Sequence, residues 1–305
     1  MTTKDLISIH DLSIEEINEI FALAASLKAS DHKPLLAGKS LAMVFEKPST
    51  RTRVSFEVGM YQLGGNTVHL SPNAVQLGQR ESIADVAGTL SRYVDGVMLR
   101  TYRHDDIVEF AKYASVPVIN GLSDLLHPCQ ALTDIFTVKE KKNDLKQVKF
   151  AYIGDGNNVC HSLMLAAAKV GMNLTIATPR RYEPKAMIVK QALDDGKASG
   201  VEIDILNDPV IAAKDADVIY TDVWASMGQE TETKARKAAF ANFQVNSQLV
   251  GLAKKDVIVM HCLPAHRGLE ITGEVIDGSN SVVFDQAENR LHVQKAILAL
   301  LLGGK

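Results

Sequence analysis

Cysteine is scarce in this 305-residue chain: Cys129, Cys160 and Cys262 lie far apart and form no Cys-x-x-Cys pair. That excludes a disulfide framework and a paired-thiolate zinc site, and it predicts reduced thiols in a cytoplasmic setting. Apolar runs of the roughly 18 residues needed to span a membrane are missing. So are basic clusters. With 33 Lys+Arg against 36 Asp+Glu and a formal charge of -3, there is no electrostatic case for nucleic acid or for a polybasic membrane contact. The start, Met1 to Lys4, lacks transit-peptide character, and no secretory leader is expected. Low-complexity segments and internal sequence repeats are absent too. What remains is an ordinary globular composition, 46% apolar and 23% charged, at a length that predicts two domains with substantial cores.

The most informative stretch is Phe45-Glu46-Lys47-Pro48-Ser49-Thr50-Arg51-Thr52-Arg53. An apolar run of strand length, Leu41 to Phe45, precedes it. A helical pattern over 51–63 follows, which Gly64-Gly65 would end. The motif is therefore a strand-to-helix turn. Free N–H groups and the positive end of a helix dipole face such a turn, while Ser49, Thr50 and Thr52 add hydroxyls and Arg51 a forked cation. This suits a phosphate dianion; an N-cap followed by solvated arginines is the plainer alternative.

Alternation continues along the chain. Ser13-x-x-Glu16 predicts a capping box opening an amphipathic helix, and strands are expected at 40–46, 66–70, 95–100 and 116–119 with helices at 82–93 and 104–114. The segment 71–82 predicts a loop carrying Gln76, and Arg100 ends a buried strand, where open parallel sheets bind ligands. A turn is expected over Asn120 to Asp124, after which His127 precedes Pro128, Cys129 and Gln130 at a helix start. Lys139 to Lys149 is polar and marks the domain boundary. The second run opens on Ile153-Gly154-Asp155-Gly156-Asn157-Asn158-Val159. A dinucleotide fingerprint does not fit, because Val159 replaces its third glycine and no acidic residue follows the strand ending near Thr178. Further strands at 173–178, 201–205, 217–221 and 256–260 predict a second parallel sheet, and a helix at 287–302 closes the chain. The fold class is α/β: two domains, each an open parallel sheet flanked by helices.

Polar clusters thus fall at strand or helix ends in both halves: 49–52, Gln76, Arg100, 127–130, 157–158, Asp222 with Ser226 and Met227, and Cys262 with Leu263. The first half offers cations and hydroxyls for a phosphate and a polarised carbonyl, the second a carboxylate, amides and a thiol for an amine. Asp222 can be a cap or a receiver of a cation. A zinc site at His261, Cys262 and His266 lacks a second cysteine pair, and a Cys262–His261 nucleophile pair is disfavoured because neighbours on a strand face opposite ways.

Taken together, Ser49-Thr50-Arg51-Thr52-Arg53, His127-Pro128-Cys129-Gln130, Asp222-x-x-x-Ser226-Met227-Gly228 and His261-Cys262-Leu263-Pro264 resemble the aspartate/ornithine transcarbamoylase family, in its ornithine-specific form. The resemblance covers the chain from the first helix to the last. It implies transfer of the carbamoyl group of carbamoyl phosphate to the δ-amine of L-ornithine, giving citrulline and phosphate through a tetrahedral intermediate, with no metal or organic cofactor. It also implies an active site in an interdomain cleft. The domains would be 1–138, with the C-terminal helix 287–305 packing back on it, and 148–286. Ser49, Thr50, Arg51, Thr52 and Gln76 would hold the phosphate; Thr52, Arg100 and His127 would polarise the carbonyl. The motif Pro128-Cys129-Gln130, the carbonyls of Cys262 and Leu263, and Arg290 would complete the carbamoyl phosphate site. Asn158, Asp222, Ser226 and Met227 would bind ornithine, with the Cys262 side chain or only its backbone taking part. A homotrimer, or an assembly of trimers, is the expected state. A non-catalytic phosphate or amino-acid binding protein is the alternative of another class.

Overall fold

Short apolar runs alternate with amphipathic stretches, and in the computed structural model, which describes residues 1–30, 33–71, 75, 77–78, 80–225 and 232–303, they become parallel strands and covering helices. The chain divides into two compact units, Met1–Phe136 with Glu288–Lys305, and Thr137–Ala287.

The first unit carries α1 (Ile14–Lys28), β1 (Ser40–Phe45), α2 (Thr50–Gln62), β2 (Asn66–Leu70), α3 (Ile83–Leu90), β3 (Gly96–Arg100), α4 (His104–Tyr113) and β4 (Val118–Leu122), and most of α5 (Pro128–Lys142). Its sheet has the order β2-β1-β3-β4, every pairing parallel. Helices on both faces explain why every residue of β3 is buried and why it reads as a continuous run with no alternation. Ala42, Val44, Val97, Leu99, Ile107, Phe110 and Val118 form one core cluster of this unit. Phe110, fully buried, is worth about 1.5–3 kcal/mol of transfer free energy. The expected capping box is present: Ser13 Oγ accepts from the Glu16 N–H, and Glu16 Oε2 accepts from the Ser13 N–H at 3.1 Å.

The second unit runs β5 (Lys149–Ile153), α6 (Asn158–Val170), β6 (Asn173–Ala177), α7 (Ala186–Gly196), β7 (Ile203–Leu206), α8 (Pro209–Ala213), β8 (Val218–Thr221), α9 (Thr233–Ala239) and β9 (Ile258–His261). The sheet order is β7-β6-β5-β8-β9, again wholly parallel. The last helix, α10 (Val283–Leu302), starts before the boundary at Glu288 and enters the first unit. Among the described residues no helix is long and apolar enough to cross a membrane.

Both orders contain a point where the winding reverses. In the first sheet it lies between β1 and β3, which pair with Phe45 opposite Arg100; in the second it lies between β5 and β8, with Tyr152 opposite Tyr220. Crevices at the carboxyl ends of such strand pairs are where open α/β sheets hold ligands.

The structure revises several sequence expectations. A turn was expected over Asn120 to Asp124, but β4 continues to Leu122, with its register shifting against Leu99 and Arg100. Gly121 is there because of crowding: a Cβ would lie 2.4 Å from Met98 Sδ, a distance at which something must move. Helix α3 ends at Leu90, short of 93, where Ser91 Oγ donates to the Ala87 carbonyl and accepts from the Ser115 N–H. Helix α10 begins four residues before 287, and Gln286 in its first turn accepts from the His261 N–H and donates to Tyr220 Oη. The rejected dinucleotide reading also has a structural reason. A Cβ on Gly156 would sit 2.3 Å from Pro184 N, so the close approach of the 182–184 backbone accounts for this glycine without a pyrophosphate.

Candidate functional site

In the first unit, Ser49 is the N-cap of α2: its backbone is extended and its Oγ accepts from the Thr52 N–H at 3.2 Å. The helix gives no partner of its own to the N–H groups of Thr50 and Arg51, which remain directed at the turn with the positive end of the dipole. Arg100 closes β3 across from Phe45 and is buried. His127, also buried, stands immediately before α5, whose first residues are Pro128, Cys129 and Gln130. Arg290 arrives from α10. Its Nη2 donates to Thr52 Oγ1 at 3.0 Å, its Nη1 to Gln130 Oε1, and the same Nη1 lies 3.4 Å from His127 Nε2. Since a guanidinium only donates, His127 Nε2 is the acceptor and its proton sits on Nδ1.

Electrostatics explain the state of that imidazole. Burial first, then the charges of Arg290, Arg100 and Arg51, pull His127 well below the ordinary histidine range, so the ring is neutral at physiological pH. Three guanidiniums therefore act on one neutral hydrogen-bonding ring, an arrangement suited to an anion with two charges and a carbonyl to polarise. Cys129 differs from its neighbours: its Sγ faces the Asn120 carbonyl at 3.5 Å, and burial pushes the thiol up to about 12, so it is no nucleophile.

In the second unit, Asp222 follows β8 and is buried. Its Oδ2 accepts from Asn157 Nδ2 at 2.8 Å and its Oδ1 from Cys262 Sγ at 3.0 Å. Asn157 is the N-cap of α6; its Oδ1 accepts from the N–H groups of Val159 and Cys160, which turns its amide NH2 toward Asp222. Asn158 is the first residue of that helix. Leu263 has φ 57, a left-handed conformation that is strained for leucine and persists only when surroundings over-determine it. Here the Leu263 N–H donates to His261 Nδ1 at 2.8 Å, and His261 Nε2 faces Glu270 Oε1 at 3.3 Å. The two neighbours thus have separate partners: Cys262 goes to Asp222, His261 to Leu263 and Glu270.

Asp155 and Arg236 form a buried charge pair, 2.9 Å apart, and Arg236 also donates to the Trp224 carbonyl. Burial lifts the Asp155 carboxyl to about 6; Arg236 opposes the lift, while nearby Asp222 and Glu232 add to it. Nothing in the sequence signalled this pair, whose members are 81 residues apart. Asn157 as the partner of Asp222 was also missed. The signal existed, in a doubled asparagine at a helix start, but which of the two caps and which follows is a matter of backbone geometry.

For metal chemistry, Asp222, His261 and Cys262 bring ligand atoms within 4.8 Å of one another. Both nitrogens of His261 are engaged, so a metal there would displace the Leu263 N–H or Glu270. Of the residues expected from sequence, Ser49, Thr50, Arg51, Thr52, Arg100, His127, Gln130 and Arg290 fall in the first unit, and Asn158, Asp222, Cys262 and Leu263 in the second. Gln76, Ser226 and Met227 lie outside the described residues.

Two family models match the chain: the aspartate/ornithine carbamoyltransferase carbamoyl-P binding domain over residues 4–140, and the Asp/Orn binding domain of the same enzymes over 146–301. An ornithine carbamoyltransferase of Thermococcus kodakarensis is 56% identical, with 99% of this chain and 97% of that protein covered. The solved structure of ornithine carbamoyltransferase from Pyrococcus furiosus is similar at a TM-score of 0.96 and 56% identity, covering 99% of this chain and 98% of the other. The anabolic ornithine carbamoyltransferase of Campylobacter jejuni has a TM-score of 0.94 at 41% identity, over 98% and 99% of the two chains.

Proposed function

The chain belongs to the aspartate/ornithine carbamoyltransferase family, and we propose that it transfers the carbamoyl group of carbamoyl phosphate to the δ-amine of L-ornithine, giving citrulline and phosphate. One observation carries the choice of substrates: the reversal point of the first sheet gathers arginines and hydroxyls, whereas that of the second presents a carboxylate. A carboxylate there attracts an amine and repels the side chain of aspartate, the other amino acid of the family.

In this reading the phosphate lies on the N-terminus of α2 with Ser49, Thr50, Arg51 and Thr52, and Gln76 assists. Arg100, Thr52 and the neutral His127 donate to the carbonyl oxygen and stabilise the oxyanion of the tetrahedral intermediate. Gln130, Arg290 and the carbonyls of Cys262 and Leu263 orient the carbamoyl amide. Asn158, Asp222, Ser226 and Met227 hold ornithine. A δ-amine resembles that of lysine, with a solution pKa of ~10.4, so forming the neutral nucleophile at pH 7 costs about 4.6 kcal/mol at ~1.36 per unit. Asp222 by itself favours the ammonium form, so its work is recognition and aim. Desolvation, with Cys262 sharing the Asp222 carboxylate, lowers the amine's pKa.

The test is product formation by the purified chain. Citrulline should appear with ornithine, and no carbamoyl-aspartate with aspartate. Absence of both products, with both substrates bound, would leave a binding protein instead.

A further inference from the structure

Gln130 is 1% exposed and its amide has two ends of nearly equal size, so something must decide which end meets a ligand. Arg290 Nη1 can only donate, which fixes the atom facing it as Oε1. The NH2 end then points along α5 to Asp134, four residues on and fully buried, whose Oδ1 accepts from Gln130 Nε2 at 2.8 Å. A carboxylate asks for an NH2 just as firmly as a guanidinium asks for an oxygen. The two neighbours impose one orientation from opposite ends, and the second lone pair of Oε1 is left for a ligand donor.

We propose that Asp134 is a positioning residue that sets the Gln130 amide so that its oxygen receives the carbamoyl NH2, making the enzyme select carbamoyl phosphate over acyl phosphates that carry a methyl group at that position. The proposal rests on the reading of Gln130 as the partner of the carbamoyl amide. In the opposite orientation two NH2 groups would meet, and Arg290 would face a donor. A glutamine held at one end only can rotate and offer either atom. Asparagine in place of Asp134 would bring back that ambiguity, since it too can present oxygen or amide.

Acetyl phosphate separates this role from a purely structural one, because it keeps the phosphate and the carbonyl and replaces the NH2 by CH3. Calorimetry on the full chain without ornithine gives the affinities for the two compounds. The unaltered chain should prefer carbamoyl phosphate by roughly tenfold or more, the scale of one good hydrogen bond. Asp134→Leu, similar in size and unable to accept, should erase most of that preference while leaving acetyl phosphate affinity within about twofold. If circular dichroism shows that this variant does not fold, Asp134→Asn decides, with an expected loss of preference of about threefold. A preference unchanged in the folded variant, or both affinities falling together, overturns the role of Asp134. An unaltered chain with no preference overturns the reading of Gln130 itself.

Discussion

The two reversal points handle charge in opposite ways. In the first unit Arg290 donates to the neutral groups Thr52 and Gln130, and Arg51, Arg100 and Arg290 together depress the one imidazole among them. In the second unit the carboxylates are already engaged, Asp222 by Asn157 and Cys262, and Asp155 by Arg236. A cluster of like charges is electrostatically uncomfortable until an anion arrives, so it gains most from binding; a satisfied carboxylate gains less and serves to orient. In the proposed reaction the first site would thus serve affinity and transition-state charge, the second selection and aim.

Substitution of Arg51 should have the largest effect. Arg51→Ala removes a charge from the first cluster without touching the core, and kcat/KM should fall by about 3–4 kcal/mol, roughly 10²–10³-fold, with the melting temperature nearly constant. Activity within a few-fold of the unaltered chain would break the contrast at its stronger end. Asp222→Asn keeps the shape and one of the two acceptor oxygens while removing the charge. It should lower kcat/KM for ornithine by about 2–3 kcal/mol and leave carbamoyl phosphate binding, measured by calorimetry, within about twofold. Equal losses for both substrates would deny the division of labour.

A thiol is a weaker partner than either. Cys262→Ala should raise the ornithine KM by about tenfold and move the alkaline-rising limb of the rate profile to higher pH, since the amine loses a group that shares the Asp222 carboxylate. Unmoved kinetics would leave only the backbone carbonyl in play.

The smallest effect is on stability, and there the units have opposite signs. His127 in the folded chain titrates below its unfolded value of ~6.5, so the unfolded chain takes up the proton first and stability falls as pH drops below ~6.5, by at most about 1.4 kcal/mol per unit. Asp155 titrates above its unfolded range, at about 6, so the folded chain takes up the proton first and acidification from pH 6 toward 4 stabilises. Urea unfolding at pH 7, 6 and 5 should therefore show a shallow decline, turned into a rise in His127→Gln and made steeper in Asp155→Asn. The same slope in all three proteins would mean that neither group is perturbed as described.

The alternation of strands and helices was legible because parallel strands buried on both faces read as apolar runs, and parallel sheets, though not their strand orders, then follow from connection rules. The ends of elements were less legible. The extension of β4 through Gly121 depends on Met98, a contact between strands that no local pattern encodes. Motif residues stood out where they crowd into one turn, as Ser49 to Thr52 do. Supporting residues did not: Arg236 is distant in sequence from Asp155, and Glu270 reads as an ordinary surface acid until His261 is seen against it. Asp134 was within reach, since a glutamine and an aspartate four apart on a helix are neighbours, but only the guanidinium of Arg290 gives that spacing a meaning.

Arg290 stands on the last helix of the chain, yet its hydrogen bonds are to residues near positions 52 and 130. On the ribosome the strands of the first sheet are complete once Leu122 has been made, whereas the guanidinium that joins Thr52 to Gln130 is still absent. At ~5–20 residues per second, translation to Arg290 takes on the order of 10–30 s more. For that interval the nascent first unit holds two of the three arginines that act on His127. A chain cut short anywhere before Arg290 is released without the guanidinium that joins Thr52 to Gln130.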